Sequence, residues 1–293
     1  MKLAAIDIGS NAARLLITEV VETEDTPTYN KLNLVRVPLR LGFDVFDHGS
    51  ILQARTSMLL HTMKAYKHLI DAYEVSHYKA YATSAMRDAA NAKAIIQQVT
   101  DTTGITIEVI SGDKEAMIVY ENHIAETMNA ANSYLYIDVG GGSTECSFFS
   151  SGILVFKKSF NIGTIRLLKE RVTLDEWDDM KEALKTATKW HDHVIAIGSG
   201  GNINKVFSMS KRKDGKPLPL ELLKDYYKEL SSLPLANRMK TYNLREDRAD
   251  VIVPALQIYT NVMRWCNATE IYVPKIGLAD GLIHHLYDEL KNT

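Results

Sequence analysis

An apolar strand that ends in an aspartate and then breaks into glycine and small polar residues occurs twice in this chain. The first copy is Leu3-Ala4-Ala5-Ile6-Asp7-Ile8-Gly9-Ser10-Asn11, leading into Leu15-Leu16-Ile17. The second is Tyr134-Leu135-Tyr136-Ile137-Asp138-Val139-Gly140-Gly141-Gly142-Ser143-Thr144, leading into Cys146-Ser147-Phe148-Phe149. Glycine lets backbone N–H groups converge on a polyanion, because it lacks a Cβ and tolerates positive φ. Ser10, Asn11, Ser143 and Thr144 add side-chain donors. The aspartates would repel a bare phosphate, but they suit a bound Mg²⁺, which prefers oxygen ligands. Each copy alone also reads as an ordinary glycine hairpin. Two copies in one chain favour two related lobes and a phosphate-binding cleft between them.

The remaining pattern supports a duplicated α/β architecture. Residues 3–9, 12–20 and 30–41 read as strands. Residues 51–73 have helical spacing, with Met58, Leu59, Met63, Tyr66 and Ile70 recurring at three and four. A strand at 78–82, a helix at 89–102, a strand at 105–110 and a helix at 112–131 follow. Strands at 134–139, 144–150 and 153–160 then restart the order, followed by helices. A strand at 193–197 runs into a third glycine loop, Gly198-Ser199-Gly200-Gly201-Asn202. Seven of the sixteen glycines fall in these three loops, which marks the loops as the site. Residues 211–219 read as loop, 221–230 and 245–265 as helices, 270–273 as a last strand and 278–290 as a closing helix. The lobe boundary is expected near 121–133.

A chain of 293 residues with 46% hydrophobic content can bury a large core or two domains. A net charge of −2 argues against a general nucleic-acid binder. Cys146 and Cys266 lack metal-ligand spacing and are expected to be buried thiols of a reducing compartment. No signal-type segment opens the chain, and no apolar run is long enough for a bilayer. A cytoplasmic protein without membrane contact is the expectation.

Taken together, the loops resemble the actin–Hsp70–sugar kinase superfamily, and within it the exopolyphosphatase/guanosine pentaphosphate phosphatase (Ppx/GppA) family. The motifs that carry the resemblance are Asp7-Ile-Gly-Ser-Asn11, Arg40-Leu-Gly42, Ala82-Thr-Ser-Ala-Met-Arg87 with Asn91, Ile110-Ser-Gly-Asp-Lys-Glu115-Ala, and Asp138-Val-Gly-Gly-Gly-Ser-Thr-Glu145. Weaker agreements lie at Gly163 with Arg166 and at Gly277-Leu-Ala-Asp-Gly281. The third loop, Gly198-Ser-Gly-Gly-Asn-Ile-Asn204, departs from the Gly-Thr-rich version common in the family.

The resemblance implies two ribonuclease-H-like (actin-like ATPase) domains, mixed sheets flanked by helices. They would span residues 1–123, with the C-terminal helix as a candidate completing element, and 124–293. It implies Mg²⁺-dependent hydrolysis of the terminal phosphoanhydride of inorganic polyphosphate in the interdomain cleft, or alternatively of guanosine pentaphosphate. K⁺ is implied as a stimulating ion and a homodimer as a candidate assembly. Glu115 matches the family's catalytic glutamate, and such a carboxylate can orient water and take its proton. On residues alone, Glu115 reads first as a first-turn acid favouring the helix dipole; the resemblance turns the reading to catalysis.

Arg87 follows a strand end where a helix should begin, so an anion bound there would relieve an unfavourable cation at a helix N-terminus. The alternative is a solvated arginine or a pair with Asp88. Asp138 is implied as catalytic, and Asp138, Glu145 and Asp7 as metal ligands. Ser10, Asn11, Thr83, Asn91, Gly140, Gly141, Gly142 and Ser143 are the candidate substrate contacts. Glu145 could instead be an exposed strand residue, Thr83 a plain helix cap, and Asp7 an Asx-turn residue. Lys205, Lys211, Arg212, Lys213 and Lys216 read as a solvated basic run or as a guide for a polyphosphate tail. Two other classes stay open: an ATP-binding actin-like or sugar kinase-like protein, and a non-catalytic sensor of polyphosphate or alarmone.

Overall fold

The computed structural model describes residues 1–23, 26–120, 129, 132–191, 193–274 and 277–291. In chain order the first half holds β1 (Lys2–Ile8), β2 (Ala13–Val21), β3 (Thr28–Val37), α1 (Leu41–His48), α2 (Gln53–Ala72), β4 (His77–Ala82), α3 (Ser84–Asp88), α4 (Ala92–Thr103), β5 (Ile107–Val109) and α5 (Gly112–Tyr120). The second half holds β6 (Ser133–Val139), β7 (Thr144–Ser150), β8 (Ile153–Phe160), α6 (Thr164–Leu168), α7 (Leu174–Thr188), β9 (Val194–Ser199), α8 (Gly201–Ser210), β10 (Leu218–Pro219), α9 (Leu220–Ser232), α10 (Leu235–Tyr242), α11 (Glu246–Ala249), α12 (Ile252–Trp265), β11 (Glu270–Tyr272) and α13 (Leu278–Lys291). The chain divides into two compact units, Met1–Asn122 with Gly277–Thr293, and His123–Ile276. The expected lobe boundary at 121–133 falls mostly outside the described residues.

The first unit carries a five-stranded sheet in the order β3-β2-β1-β4-β5. β1, β2 and β3 form an antiparallel meander, while β4 and β5 join β1 in parallel. β1 is central, and apart from Lys2 every one of its residues is buried, so it reads as an unbroken apolar run ending in Asp7 and Ile8. Leu3 and Ala5, on the same side of β1 as Asp7, pack with Ile118 of α5 and with Leu282, Ile283 and Leu286 of α13. The last helix in sequence thus completes the core of the first unit.

The second unit repeats the plan. Its order β8-β7-β6-β9-β11 has the same antiparallel meander and the same two parallel additions, with two-residue β10 paired beyond β11. Its core joins Leu135, Ile137 and Phe148 of the sheet to Leu256, Tyr259 and Met263 of α12. Both Cys146 and Cys266 are buried free thiols in this core. α7 opens on a capping box in which Thr173 and Glu176 satisfy each other's backbone N–H groups. These two mixed sheets flanked by helices are the ribonuclease-H-like, actin-like fold that the motifs implied.

Several local expectations are corrected. The strand expected over 30–41 ends at Val37, because Pro38 has no N–H for the ladder, and a helix begins at Leu41. The helix expected from residue 89 starts at Ala92, since Ala89 is extended. The single helix expected over 245–265 is two, α11 and α12. Pro254 cannot donate to a carbonyl one turn back, so the helix restarts at Ile252 and Pro254 falls in its first turn, where that donor is not needed. The loop expected over 211–219 ends in β10, and α10 is a further helix between α9 and α11. Among the described residues, no helix is long and apolar enough to cross a membrane.

Candidate active site

The two glycine hairpins are built alike. Gly9 N–H donates to Ala12 O at 3.0 Å, and Gly140 N–H donates to Ser143 O at 2.9 Å, closing the same four-residue turn. In each unit the chain after the third strand then reaches back to this turn. Arg40 N–H donates to Asn11 O and Gly42 N–H to Ser10 O, both at 2.9 Å. In the second unit Thr164 N–H donates to Gly140 O at 3.0 Å and Ile165 N–H to Gly141 O at 2.8 Å. Arg166 Nε donates to Gly142 O at 2.7 Å. The carbonyls of Ser10, Asn11 and Ala12 in the first loop and of Gly140 to Ser143 in the second are therefore occupied, which biases each loop toward anion binding.

Close approach explains one residue here. A Cβ on Gly163 would lie 2.5 Å from Gly141 O and from the Gly142 carbonyl carbon. Only glycine lets the start of α6 lie on the triple-glycine loop.

In the first unit, Ser10 and Ser84 hydroxyls are hydrogen-bonded at 2.8 Å and both are buried. Thr83 N–H donates to Ile8 O at 3.1 Å, which fastens the β4–α3 junction to the end of β1. Thr83 makes no side-chain cap, so the capping role open to it is not the one it plays. Arg87 lies in the last turn of five-residue α3 rather than at a helix start. The argument from a cation at a helix N-terminus is thereby corrected; a cation in a last turn is favourable. Arg87 Nη1 donates to Ile110 O at 2.9 Å, tying it to the strand end just before α5. Ser111 caps α5, its hydroxyl accepting from Lys114 N–H at 3.1 Å, and Glu115 follows in a buried position. Asn91 uses both ends of its amide on the main chain of Ile51, at 3.0 and 2.8 Å.

The aspartates differ in their neighbours. Asp7 lies opposite Arg14 in the β1–β2 register, and Arg14 Nη1 donates to Asp7 Oδ2 at 2.7 Å. Burial raises the Asp7 carboxyl above its ordinary value, with Arg14 opposing. Asp138 lies opposite Glu145 in the β6–β7 register and beside Ser199 in the parallel β6–β9 register. Glu145 is 4% exposed, which removes its reading as an exposed strand residue. Ser159 Oγ donates to Glu145 Oε1 at 2.7 Å. Ser159, Glu145, Asp138 and Ser199 thus form a polar row across β8, β7, β6 and β9.

Gly200 adopts φ +103°, and a Cβ there would come 2.9 Å from Asp138 Oδ1, so the third loop packs directly on the Asp138 carboxylate. Arg248 lies over the next residue, where a Cβ on Gly201 would meet its Nη2 at 2.4 Å. Among the described residues, no group of three His, Cys, Asp or Glu side chains could hold a metal by itself. A two-carboxylate set still fits Mg²⁺, which takes its other oxygens from water and substrate phosphates. The basic residues Lys211, Arg212, Lys213 and Lys216 are exposed, with Arg212 donating to Pro217 O at 2.9 Å.

Residues 20–291 match the sequence profile of the Ppx/GppA phosphatase family. The chain belongs to that family. The crystal structure of the Aquifex aeolicus Ppx/GppA member superposes with a TM-score of 0.77 at 25% identity, covering 100% of this chain and 99% of that one. An exopolyphosphatase from Cytophaga hutchinsonii shares the fold, with a TM-score of 0.84 at 24% identity over 99% and 98% of the two chains. Exopolyphosphatase 1 of Mycobacterium tuberculosis is 23% identical over 97% of this chain and 87% of its own length. A bifunctional 3-dehydroquinate synthase/phosphatase of Fusobacterium nucleatum is 35% identical over 175 residues, 57% of this chain. That match spans 26% of the longer Fusobacterium protein.

Sequence reasoning passed over Arg14 as the partner of Asp7 and Ser159 as the partner of Glu145. The first was recoverable, since aligning the two hairpins puts Arg14 in register with Glu145. The second was not, because β8 pairing and its bulge near Phe148 decide which β8 residue lies beside Glu145.

Proposed function

We propose that this phosphoanhydride hydrolase is an exopolyphosphatase, releasing the terminal phosphoryl group of inorganic polyphosphate in a Mg²⁺-dependent reaction. The observation that carries the reading is the pair of hairpin loops in which the carbonyls of Ser10, Asn11 and Ala12, and of Gly140 to Ser143, accept hydrogen bonds, leaving loops suited to phosphate. Ser10, Asn11, Thr83 and the loop Gly140–Ser143 are assigned to hold phosphate oxygens. Arg87 is assigned to neutralise charge on the transferring group, which suits its planar fork of donors. In phosphoryl transfer, positioning and charge stabilisation carry most of the catalysis.

Glu115 is assigned as the general base, orienting the attacking water and accepting its proton at a carboxylate oxygen. The capped first turn of α5 and the Arg87–Ile110 bond keep that segment in place. Asp138 and Glu145 are the residues that would hold Mg²⁺, with Ser159 orienting Glu145. Bound there, the ion would neutralise phosphate charge. Asp7, already engaged by Arg14, is assigned a structural role in place of metal binding, and Asn91 one in anchoring Ile51.

Guanosine pentaphosphate is the alternative substrate, because the family includes both activities. The deciding experiment is a panel under one Mg²⁺ concentration: polyphosphates of several lengths, guanosine pentaphosphate and ATP, with phosphate release measured for native protein and Glu115→Gln. Fastest release from polyphosphate, lost in Glu115→Gln, is expected. Undiminished release by Glu115→Gln would overturn the assigned base. ATP binding with no cleavage of polyphosphate would overturn the exopolyphosphatase reading.

A further inference from the structure

Arg40 has a backbone conformation that its position does not ordinarily require. Its φ is 55° and ψ 36°, the left-handed region, at the residue that opens α1. The other non-glycine residues with positive φ among those described are Glu74, Ser151, Glu170, Lys211, Asn243 and Asn267. Those sit at or just past helix ends, or in the β7–β8 turn, where left-handed geometry is the usual solution. Glycine would adopt the Arg40 conformation without the Cβ penalty. The chain keeps a large cation there instead.

The surrounding frame holds this residue firmly. Leu39 O accepts from Arg55 Nη1 at 3.0 Å, and Arg55 Nε is bound to Asp44 Oδ1 at 2.7 Å. On the other side, Arg40 N–H and Gly42 N–H are bound to the carbonyls of Asn11 and Ser10. Arg40 is therefore one hydrogen bond away from the tip of the first hairpin. Its guanidinium carbon stacks 3.9 Å from the centre of the Phe43 ring, which limits the orientations of the fork. Strain that a rigid frame maintains is characteristic of sites where a side chain must be presented. The backbone of Arg40 is fastened to a loop with engaged carbonyls, its guanidinium is ordered on Phe43, and a guanidinium suits a phosphate oxygen.

We propose that Arg40 is a phosphate-binding residue of the first hairpin, its guanidinium contacting an oxygen of a condensed phosphate held at Ser10 and Asn11. The inference rests on the reading of that hairpin as a phosphate loop. The test uses the full chain carrying Glu115→Gln, titrated calorimetrically with tripolyphosphate and Mg²⁺, alone and combined with Arg40→Gly or Arg40→Lys. Arg40→Gly suits the left-handed backbone, so its melting temperature should equal or exceed that of its parent. Its affinity for tripolyphosphate should fall about tenfold or more, since a charge-assisted bond is lost. The decline in affinity with added salt should also become shallower.

Arg40→Lys should bind between the two, because charge is kept and the fork is lost. It also keeps the test decisive should the glycine variant fail to fold. Parent-like affinity in Arg40→Gly, or in Arg40→Lys if only that variant folds, would overturn this inference alone. A parent that binds neither tripolyphosphate nor longer polyphosphate would overturn the phosphate reading of the hairpin as well.

Discussion

Arg14 and Glu145 occupy the same place in two copies of one hairpin. Each lies directly across the antiparallel pair from the aspartate of its own strand, Asp7 in one unit and Asp138 in the other. In the first unit the pair is a cation on a carboxylate, and in the second it is two carboxylates. A matched pair holds a strand end together, whereas two adjacent acids call for a counterion.

Metal dependence should therefore be asymmetric. Removing the Ser159 hydroxyl, which orients Glu145, should weaken Mg²⁺ by about tenfold, the effect of losing a partner behind a metal ligand. Asp138→Asn and Glu145→Gln should abolish most activity and raise the Mg²⁺ needed. Asp7→Asn should leave the Mg²⁺ concentration for half-maximal rate unchanged. Magnesium titrations of phosphate release check all four variants, and a large shift in Asp7→Asn would reverse the assignment.

Arg14→Met should destabilise the protein by about 2–3 kcal/mol at neutral pH, because Asp7 would be left buried without its partner. The pH dependence has a definite sign. The folded pKa of Asp7 already lies above its ordinary value of 3.8. Such a group costs stability as pH rises from the unfolded to the folded pKa. Losing Arg14 raises the folded value further, so the deficit should be smallest near pH 4 and grow as pH rises, levelling off above the folded pKa. Denaturant unfolding of native and variant protein between pH 4 and 8 measures this; a deficit independent of pH would contradict it.

Gly163→Ala should disturb the triple-glycine loop, since the new methyl would overlap backbone atoms of Gly141 and Gly142. Backbone cannot rotate away as a side chain can, so a loss of about 1–3 kcal/mol and of most activity is expected. Gly277 supplies the control, as a Cβ there meets nothing within 4 Å. Gly277→Ala should change stability by less than about 0.5 kcal/mol. Thermal melts of the two variants side by side give the comparison.

Ser10 and Ser84 should show strong coupling. Removing one hydroxyl leaves the other buried without its partner, at a cost of about 1–3 kcal/mol. The double variant Ser10→Ala/Ser84→Ala should lose clearly less stability than the sum of the single variants. A double-mutant cycle by denaturant titration tests it, and simple additivity would mean the contact contributes little.

Much of this architecture was legible before any coordinates. The repeated strand–aspartate–glycine pattern is local: apolar runs and turn chemistry are written in adjacent residues, so the duplicated α/β meander could be read directly, and the motifs' resemblance supplied the finer fold class. The same holds for the helix expected from residue 112, which places Glu115 in a first helical turn. The strand end at Pro38 and the helix start near Pro254 differ from the sequence reading, because apolar spacing continues across residues whose missing N–H forces a break.

What tertiary structure alone decided is which partner each polar residue meets. The sequence by itself determined that two aspartates end two equivalent strands and that glycine loops follow them. It assigned both aspartates to metal, since nothing local distinguishes them. Strand pairing put Arg14 on one and Glu145 beside the other, and packing turned the loop carbonyls onto the N–H groups of the following helices. It also held Arg40 in a left-handed conformation next to Asn11. Those contacts join residues far apart in the chain, and their energies depend on distance and burial that no short stretch of sequence encodes.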